Sequence, residues 1–252
     1  EQNEPDFSDL KCKITCNTKG IIINSPSNPT GGVWREKTIK KLLNFLKNYK
    51  DIWIFSDECY EQLTYKEPFQ SIASFDASNN KILTFQSCSK TYAMTGWRIG
   101  YIAGHEKLVN AVAKLQGQST SCPNSIAQHA AIEALTGTQE FIQGMRQAFQ
   151  ERRNLVLQEL KKIKNIKCEK PDGAFYVFPN FSYYLNTKTP EGKIIKTSSD
   201  LCMYILNTTG VVTVSGDSFG APGHIRLSYA TSNETIVQAI SEMQKTIQKL
   251  HF

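Results

Sequence analysis

The first hundred residues alternate between strand-like and helix-like patterns of hydrophobic positions. The run Gly20–Asn24 is rich in β-branched residues and predicts a strand that is buried on both faces. Apolar residues spaced three and four apart then predict an amphipathic helix, namely Ile39, Leu42, Leu43 and Leu46. Residues 52–55 predict a second strand, and Asp57 follows its end. Strand, helix and strand in this order form the βαβ unit of a parallel sheet.

The remaining pattern predicts two domains. Further strands are expected in the first part at residues 82–85 and 98–103, and helices at 106–116, 125–135 and 139–163. In the second part we expect strands at residues 173–178, 211–214 and 224–229 and a helix at 200–207. Thr231 and Glu234 form a capping box before a last helix, whereas the polar residues 182–196 predict an exposed loop. The predicted fold class is therefore α/β, with a mostly parallel sheet in a large domain over residues 1–155 and a smaller α+β domain over residues 156–252.

Candidate functional residues follow the predicted strands. In open α/β sheets, ligands bind in the crevice at the carboxyl ends of the strands. Asn28 lies in a turn rich in Pro and Gly after the first strand, Asp57 follows the second strand, and residues 87–90 follow the third. We therefore expect these three stretches to converge on one crevice.

Lys90 is the main candidate for covalent chemistry. A lysine held in a partly desolvated pocket near other cations can lose its proton and condense with an aldehyde. Ser87, Ser89 and Arg98 offer two hydroxyls and a planar cation, which suit a phosphate dianion, and Arg98 is also a candidate cationic neighbour. A reactive lysine beside a phosphate site indicates pyridoxal 5′-phosphate as the cofactor. The alternative is a polar turn with a solvated lysine.

Asp57 and Tyr60 fit the same cofactor. A carboxylate beside a pyridine nitrogen keeps that nitrogen protonated and makes the ring an electron sink. Tyr60 follows Asp57 closely and would hydrogen-bond the phenolic oxygen of the ring. The structural alternative is that Asp57 caps a helix, that Tyr60 packs in the core and that Asn28 only stabilises the turn in which it lies.

Composition and charge argue against several other classes. The 252 residues carry a net charge of +6, but lysines such as Lys37, Lys40 and Lys41 are dispersed on helix faces, so no nucleic acid partner is predicted. Seven cysteines without CxxC pairs favour free thiols in a reducing cytoplasm over a disulfide framework. Cys12 and Cys16 lack nearby histidines, so no metal site is expected. No apolar run is long enough to span a membrane, and no membrane partner is predicted.

Six motifs occur in order along nearly the whole chain. They are SPSNPTGG at 25–32, SDECYEQLTY at 56–65, SCSKTYAMTGWRIGY at 87–101, STSCPNSIAQ at 119–128, GAFYVFP at 173–179 and FGAPGHIRLSYA at 219–230. Together they resemble the class I, fold-type I aminotransferases that depend on pyridoxal phosphate, and most of all the bacterial-type aspartate aminotransferase subgroup. The motifs are specific, and six of them in this order are not a coincidence.

The resemblance implies a role for each candidate residue. It implies that Lys90 is the Schiff-base lysine and proton shuttle, and that Asp57 pairs with the pyridine nitrogen. Tyr60 and Asn28 would hydrogen-bond the ring oxygen. Asn28 and Arg226 would contact the substrate, and Arg226 would clamp its α-carboxylate. The residues implied to hold the phosphate are Ser87, Ser89 and Arg98.

The reaction implied by the resemblance is the transfer of an amino group from an amino acid, expected to be aspartate, to a 2-oxo acid, expected to be 2-oxoglutarate. The resemblance also implies a homodimer for the full-length enzyme. A carbon–sulfur lyase of the same fold and a non-catalytic domain that binds the cofactor remain alternatives. The presence of Lys90, Asp57, Tyr60 and Arg226 together favours an enzyme, because a scaffold needs none of them.

Two departures from the family pattern matter. Cys122 stands where relatives usually carry asparagine, in a loop that approaches the site of the partner subunit. The N-terminal part of the family, which supplies a phosphate cradle and the aromatic residue stacked on the ring, has no counterpart in the chain. The chain is therefore interpreted as the C-terminal portion of such an enzyme, with a truncated large domain. We expect it to be inactive alone and to bind the cofactor weakly.

Overall fold

The computed structural model describes residues 5–49 and 51–251, and its contacts divide the chain into two compact units. The first unit comprises Glu1–Ser27 and Gly32–Gly144, and the second comprises Asn28–Gly31 and Met145–Phe252. The division falls inside a long helix, α6 (Glu140–Leu160). The domain boundary expected from the sequence, near residue 155, lies further along the same helix and stays a prediction.

A four-stranded sheet organises the first unit. Strands β1 (Gly20–Asn24), β2 (Trp53–Asp57) and β3 (Ile82–Ser87) run parallel, and β4 (Gly100–Ala103) runs antiparallel to β3 at the edge. The register sets Asp57 opposite Asn24 on one side and opposite Phe85 on the other. The carboxyl ends of the parallel strands therefore lie together, and the predicted α/β fold class with a mostly parallel sheet is confirmed.

The helices of the first unit agree with the apolar periodicity. Helix α2 (Glu36–Leu46) follows β1, and its residues Ile39, Leu42 and Leu46 are buried in one core with Ile23 and Ile54. The burial of this stripe is what the spacing of the apolar positions predicts. The other helices of this unit are α1 (Phe7–Lys13), α3 (Cys88–Thr91), α4 (Glu106–Ser119) and α5 (Ser125–Thr136).

Strand β1 is not buried on both faces, so that expectation was wrong. Ile23 is buried in the core, whereas Ile22 is 79% exposed. Successive side chains of a strand point to opposite faces, and the Ile22 side of β1 lines a cavity. The apolar run is uniform along the strand, so its sequence could not show which face is covered.

A three-stranded antiparallel sheet lies in the second unit, in the order β5-β7-β6. Its strands are β5 (Tyr176–Val177), β6 (Val214–Ser215) and β7 (Ile225–Ser228). Helices α7 (Ser198–Thr209) and α8 (Asn233–Ile247) share a core that contains Leu201, Ile205, Ile240 and Met243. β6 begins only at Val214, so most of the strand predicted at residues 211–214 is absent.

The segment 182–196 is not an exposed loop, contrary to its polar composition. Tyr184, Thr187, Thr189 and Ile195 are all buried. The Ile195 N–H donates to the Thr187 carbonyl at 2.9 Å, and Thr187 Oγ1 donates to the Tyr184 carbonyl at 2.8 Å. Because internal hydrogen bonds satisfy its polar groups, the segment can fold inward at little cost.

The N-terminal cap of α8 differs by one residue from the predicted one. The N-cap is Ser232, whose Oγ accepts a hydrogen bond from the Thr235 N–H at 3.2 Å, and not Thr231. Both hydroxyl residues are suitable caps, so the sequence pattern alone did not distinguish them.

Candidate functional site

A cavity of about 670 Å³ lies in the first unit at the carboxyl ends of the parallel strands. Its volume falls within the usual range for small-molecule sites. The residues that line it come from β1, β2, β3, the turn after β2 and α3, and are Ile22, Phe55, Asp57, Cys59, Phe85, Gln86, Ser87, Ser89 and Lys90. Four of the residues singled out from the sequence therefore meet in one cavity: Asp57, Ser87, Ser89 and Lys90.

Alternation along β2 presents Asp57 to this cavity. Phe55, Asp57 and Cys59 line the cavity, because alternate residues of a strand share a face. Asp57 is the last residue of β2, and its Oδ1 accepts a hydrogen bond from the backbone N–H of Cys59 at 3.3 Å. The carboxylate is thus held where the strand ends. The residues that alternate with these are buried and are Ile54, Ser56 and Glu58.

Helix α3 begins where β3 ends and carries Lys90. Ser87 is both the last residue of β3 and the N-cap of α3, and its Oγ accepts a hydrogen bond from the Ser89 N–H at 3.0 Å. Lys90 Nζ lies 5.9 Å from the centre of the Tyr60 ring, and Tyr60 is buried. Two hydroxyls and an amine therefore line the cavity from one short segment of chain.

Cys59 brings a thiol into the cavity, and its surroundings keep that thiol protonated. Burial and the nearby charge of Asp57 raise the pKa of Cys59 to about 12, although the charge of Lys90 acts in the opposite direction. The thiolate, not the thiol, is the nucleophilic form of cysteine. Cys59 is therefore not in its nucleophilic form near neutral pH.

We expect Cys59 to resist alkylation by iodoacetamide at about pH 8, because little of its thiol is ionised there. Cys168 should also resist, since burial raises its pKa to about 12. The exposed Cys12, Cys16 and Cys122 should react, and peptide mass mapping of the folded protein measures each site. As a control, denaturant should make all seven cysteines reactive. Rapid labelling of Cys59 in the folded protein would contradict this account of the cavity.

Arg98 lines a different cavity from Lys90. Its cavity has a volume of about 810 Å³ and also contacts Trp97, Cys122 and Asn124. Arg98 Nη1 donates to the Thr95 carbonyl at 3.1 Å, and its backbone has a φ of 53°. A positive φ is uncommon for an arginine, and such strain is often found at functional positions. The structure thus brings Arg98 together with Cys122, the position that departs from the family pattern.

Asn28 and Arg226 contact each other in the second unit. Arg226 Nη1 donates to Asn28 Oδ1 at 2.7 Å. The guanidinium carbon of Arg226 lies 4.6 Å from the centre of the Tyr176 ring and 5.4 Å from that of Phe219. Arg226 Nε is buried and has no hydrogen-bond partner among the residues described. A guanidinium binds carboxylates through paired N–H groups, and a buried donor without a partner is unusual in a folded protein.

Several residues around these groups were not singled out from the sequence. Phe55 and Phe85 each lie two positions before a candidate residue on their strands, so alternation alone would have placed them on the cavity face. Tyr176 and Phe219 lie within the motifs GAFYVFP and FGAPGHIRLSYA. Tyr176 contacts Arg226 from a distant part of the chain, whereas Phe219 lies in the same motif as Arg226, and no periodic pattern signals either contact.

The part of the chain that the structure describes contains neither a membrane-spanning helix nor a cluster of metal ligands. Within residues 5–49 and 51–251, no helix is both long and apolar enough to cross a membrane. Over the same described part of the chain, no three His, Cys, Asp or Glu side chains are grouped so that they could hold a metal ion.

Residues 1–243 match the family model described as aminotransferase class I and II. The chain belongs to this aminotransferase family. One relative, the probable aspartate/prephenate aminotransferase of Rhizobium leguminosarum bv. phaseoli, is 42% identical over 241 residues, which cover 94% of this chain and 60% of the relative.

Solved aminotransferase structures share the fold of the chain. The aspartate aminotransferase from Rhizobium meliloti matches with a TM-score of 0.91 and 39% identity, over 96% of this chain and 61% of that one. The aromatic aminotransferase from Pyrococcus horikoshii OT3 matches with a TM-score of 0.88 and 32% identity, over 97% of this chain and 64% of that one. The chain thus spans about 60% of the length of these relatives.

Aspartate aminotransferases of this family depend on pyridoxal phosphate, and the donor set of the Lys90 cavity fits that cofactor. Lys90 offers an amine for the aldehyde, and Asp57 offers a carboxylate for the ring nitrogen. Ser87 and Ser89 offer hydroxyls for the phosphate. The apolar side chains of the cavity wall suit an aromatic ring.

Proposed function

We propose that the chain carries the cofactor site of a pyridoxal-phosphate-dependent aminotransferase, which moves an amino group between an amino acid and a 2-oxo acid. The observation that carries the proposal is the single cavity lined by Lys90, Asp57, Ser87 and Ser89. Membership of the aminotransferase family supports the same reaction. A structural protein would need no such set of donors around one cavity.

In this proposal each residue of the first unit has its own task. When bound, the cofactor supplies an electron sink that acidifies the α-carbon of the amino acid. Lys90 would hold the aldehyde group of the cofactor, and its amine would move a proton at the α-carbon of the substrate as a general base and acid. Asp57 keeps the ring nitrogen protonated, and Tyr60 hydrogen-bonds the ring oxygen. Ser87 and Ser89 would bind the phosphate. The family resemblance adds Arg98 to this set, although Arg98 lines a separate cavity in this structure.

In the second unit, Arg226 would bind the α-carboxylate of the substrate, and Asn28, which accepts a hydrogen bond from Arg226, would contact the same substrate. The unpaired Nε of Arg226 and its hydrogen bond to Asn28 support this assignment. We further propose aspartate as the amino donor and 2-oxoglutarate as the acceptor, because relatives are named aspartate aminotransferases. For the full-length protein we propose a homodimer in the cytoplasm, and the free state of the cysteines accords with a reducing compartment.

Reductive trapping tests the cofactor site directly. Borohydride treatment of the cofactor-loaded protein should place the cofactor mass on the peptide that contains Lys90, because the amine and the aldehyde are then joined by a stable bond. Lys90→Ala should abolish the adduct. Lys107→Ala removes an exposed lysine of α4 in the same unit and should leave the adduct unchanged. An adduct on another lysine, or none, would overturn the assignment.

A substrate panel separates the proposed reaction from its alternatives, and it is run on the full-length protein because this chain is expected to be inactive alone. With 2-oxoglutarate as acceptor, aspartate should yield glutamate. Release of ammonia and pyruvate from cysteine-type substrates would instead favour a carbon–sulfur lyase. Binding of the cofactor without turnover of any amino acid would favour a non-catalytic domain.

A further inference from the structure

Glu58 is a buried carboxyl next to Asp57 that has no task in the proposed chemistry. Its side chain is 1% exposed, although it follows the last residue of β2. Removing a carboxyl group from water is costly unless hydrogen bonds compensate for the loss, and burial raises the pKa of Glu58. Ser56 and Glu58 alternate with Asp57 and Cys59, so their side chains lie on the face of the strand away from the cavity.

The Glu58 carboxyl joins the end of β2 to a segment distant in sequence. Its Oε1 accepts hydrogen bonds from Ser56 Oγ at 2.8 Å and from Ser71 Oγ at 2.9 Å. A backbone hydrogen bond from Ile72 adds to these. Ser56 belongs to β2, whereas Ser71 is the N-cap of the short 3₁₀ helix Ile72–Phe75 that precedes β3. One buried oxygen therefore accepts from both segments.

Glu58 also lies where the backbone leaves the sheet. Its N–H donates to the Phe85 carbonyl of β3 at 3.0 Å, and the Glu61 N–H donates to the Glu58 carbonyl at 2.9 Å. The second of these bonds closes the turn that contains Tyr60. Asp57 precedes Glu58 directly and faces the cavity. The placement of the Asp57 carboxylate therefore depends on where the Glu58 backbone is held.

We propose that Glu58 is a positioning residue for Asp57, because its carboxyl, held by Ser56 and Ser71, fixes the backbone from which Asp57 meets the ring nitrogen of the cofactor. The inference rests on the proposed function, since it requires that cofactor in the Lys90 cavity. Glu58 touches neither cofactor nor substrate and acts only through the backbone. A misplacement of about 1 Å at a reacting group can cost roughly 100-fold in rate, so a distant anchor of this kind has a measurable effect.

Protonation of the ring nitrogen reports this role directly. In the full-length protein, magnetic resonance of bound cofactor that is isotope-labelled at the ring nitrogen measures the pH at which that nitrogen loses its proton. Glu58→Ala should lower this pH, because a displaced Asp57 stabilises the pyridinium less well. It should also weaken cofactor binding by roughly 10-fold, the low end of the cost of removing an outer-shell partner in metal sites. Glu58→Gln retains an oxygen acceptor for both hydroxyls and should restore both readouts.

Two further variants distinguish positioning from stability. Ser71→Ala removes one hydrogen-bond donor to Glu58 and should also lower the pH at which the ring nitrogen loses its proton. The double variant of Glu58→Ala and Ser71→Ala should lower this pH no further than Glu58→Ala does, because both changes break the same hydrogen bond. Ile39→Val removes a methylene from α2 in the core of the same unit. It should lower the melting temperature without changing protonation of the ring nitrogen.

Each outcome of these measurements either supports or contradicts the positioning role of Glu58. If Glu58→Ala lowers only the melting temperature, as Ile39→Val does, the positioning role is wrong. If Glu58→Ala does not fold, the test uses Ser71→Ala instead. If the ring nitrogen of the cofactor then loses its proton at the same pH as in the unaltered protein, the inference is wrong. If the unaltered full-length protein binds no cofactor, both the proposed function and this inference are wrong. If the unaltered protein binds the cofactor and the variants change neither its binding nor the protonation of its ring nitrogen, only the proposed role of Glu58 is wrong.

Discussion

In the full-length protein, replacing Lys90 with alanine is expected to abolish transamination while leaving the first unit folded. Lys90 lines the cavity and lies outside the buried core, so its removal opens no hole among packed side chains. Proton transfer by a positioned side chain contributes about 10²- to 10⁴-fold to rate, and kcat should fall by at least that factor. Steady-state kinetics with aspartate and 2-oxoglutarate measure the loss, and the thermal midpoint should stay near that of the unaltered protein.

Two variants control for charge and for general effects of losing a lysine. Lys90→Arg keeps a positive charge, but a guanidinium stays protonated, so this variant should be as inactive as Lys90→Ala. Lys107→Ala should keep full activity because its side chain is exposed on α4. If Lys90→Ala retained a kcat within about tenfold of the unaltered protein, Lys90 could not be the proton-transfer group.

In the full-length protein, replacing Arg226 with alanine should lower kcat/KM for every amino-acid donor. All candidate substrates share an α-carboxylate, and the planar guanidinium can bind it through two N–H groups. Loss of one partner of a buried, hydrogen-bonded charge pair costs about 2 to 5 kcal/mol. That cost corresponds to a decrease of roughly 30-fold to several thousandfold in kcat/KM. Aspartate, glutamate and aromatic donors, assayed with one acceptor, should lose similar factors.

Arg226→Lys and Arg152→Ala provide the matched comparisons. Arg226→Lys keeps the charge but not the paired N–H geometry, so it should recover only part of the lost activity. Arg152, an arginine of α6 in the second unit, has its guanidinium carbon 5.6 Å from the centre of the Phe149 ring, and Arg152→Ala should have little effect on kcat/KM. A variant of Arg226 that spared aromatic donors but lost aspartate would show that the arginine recognises the side-chain carboxylate instead.

The Lys90 cavity could be predicted from the sequence because its groups are local to strand ends. Asp57 ends β2, and Ser87 ends β3 and begins α3. The carboxyl ends of parallel strands meet at one edge of a sheet, so the βαβ pattern was enough to bring these residues together. The apolar stripe of α2 could also be predicted from the sequence, because a helix that buries one face needs apolar residues three and four positions apart.

Features that depend on distant contacts could not be predicted in this way. The exposure of Ile22 depends on what covers each face of β1, and the burial of Thr187 and Ile195 depends on hydrogen bonds within a polar segment. The anchoring of Glu58 depends on Ser71, which lies in a separate turn. Hydropathy at a single position contains no information about such partners.

The hydrogen bond between Asn28 and Arg226 also constrains how the protein is made. Its partners are 198 positions apart in the chain, and at a synthesis rate of about 5 to 20 residues per second roughly 10 to 40 s separate their appearance. The Gly31 carbonyl likewise accepts bonds from the N–H groups of Asp172 and Gly173, which are translated long after it. The turn Asn28–Gly31 therefore leaves the ribosome well before its partners exist. A peptide of residues 145–252 produced by itself would lack this turn, so the second unit can be completed only within a chain that also contains residues 28–31.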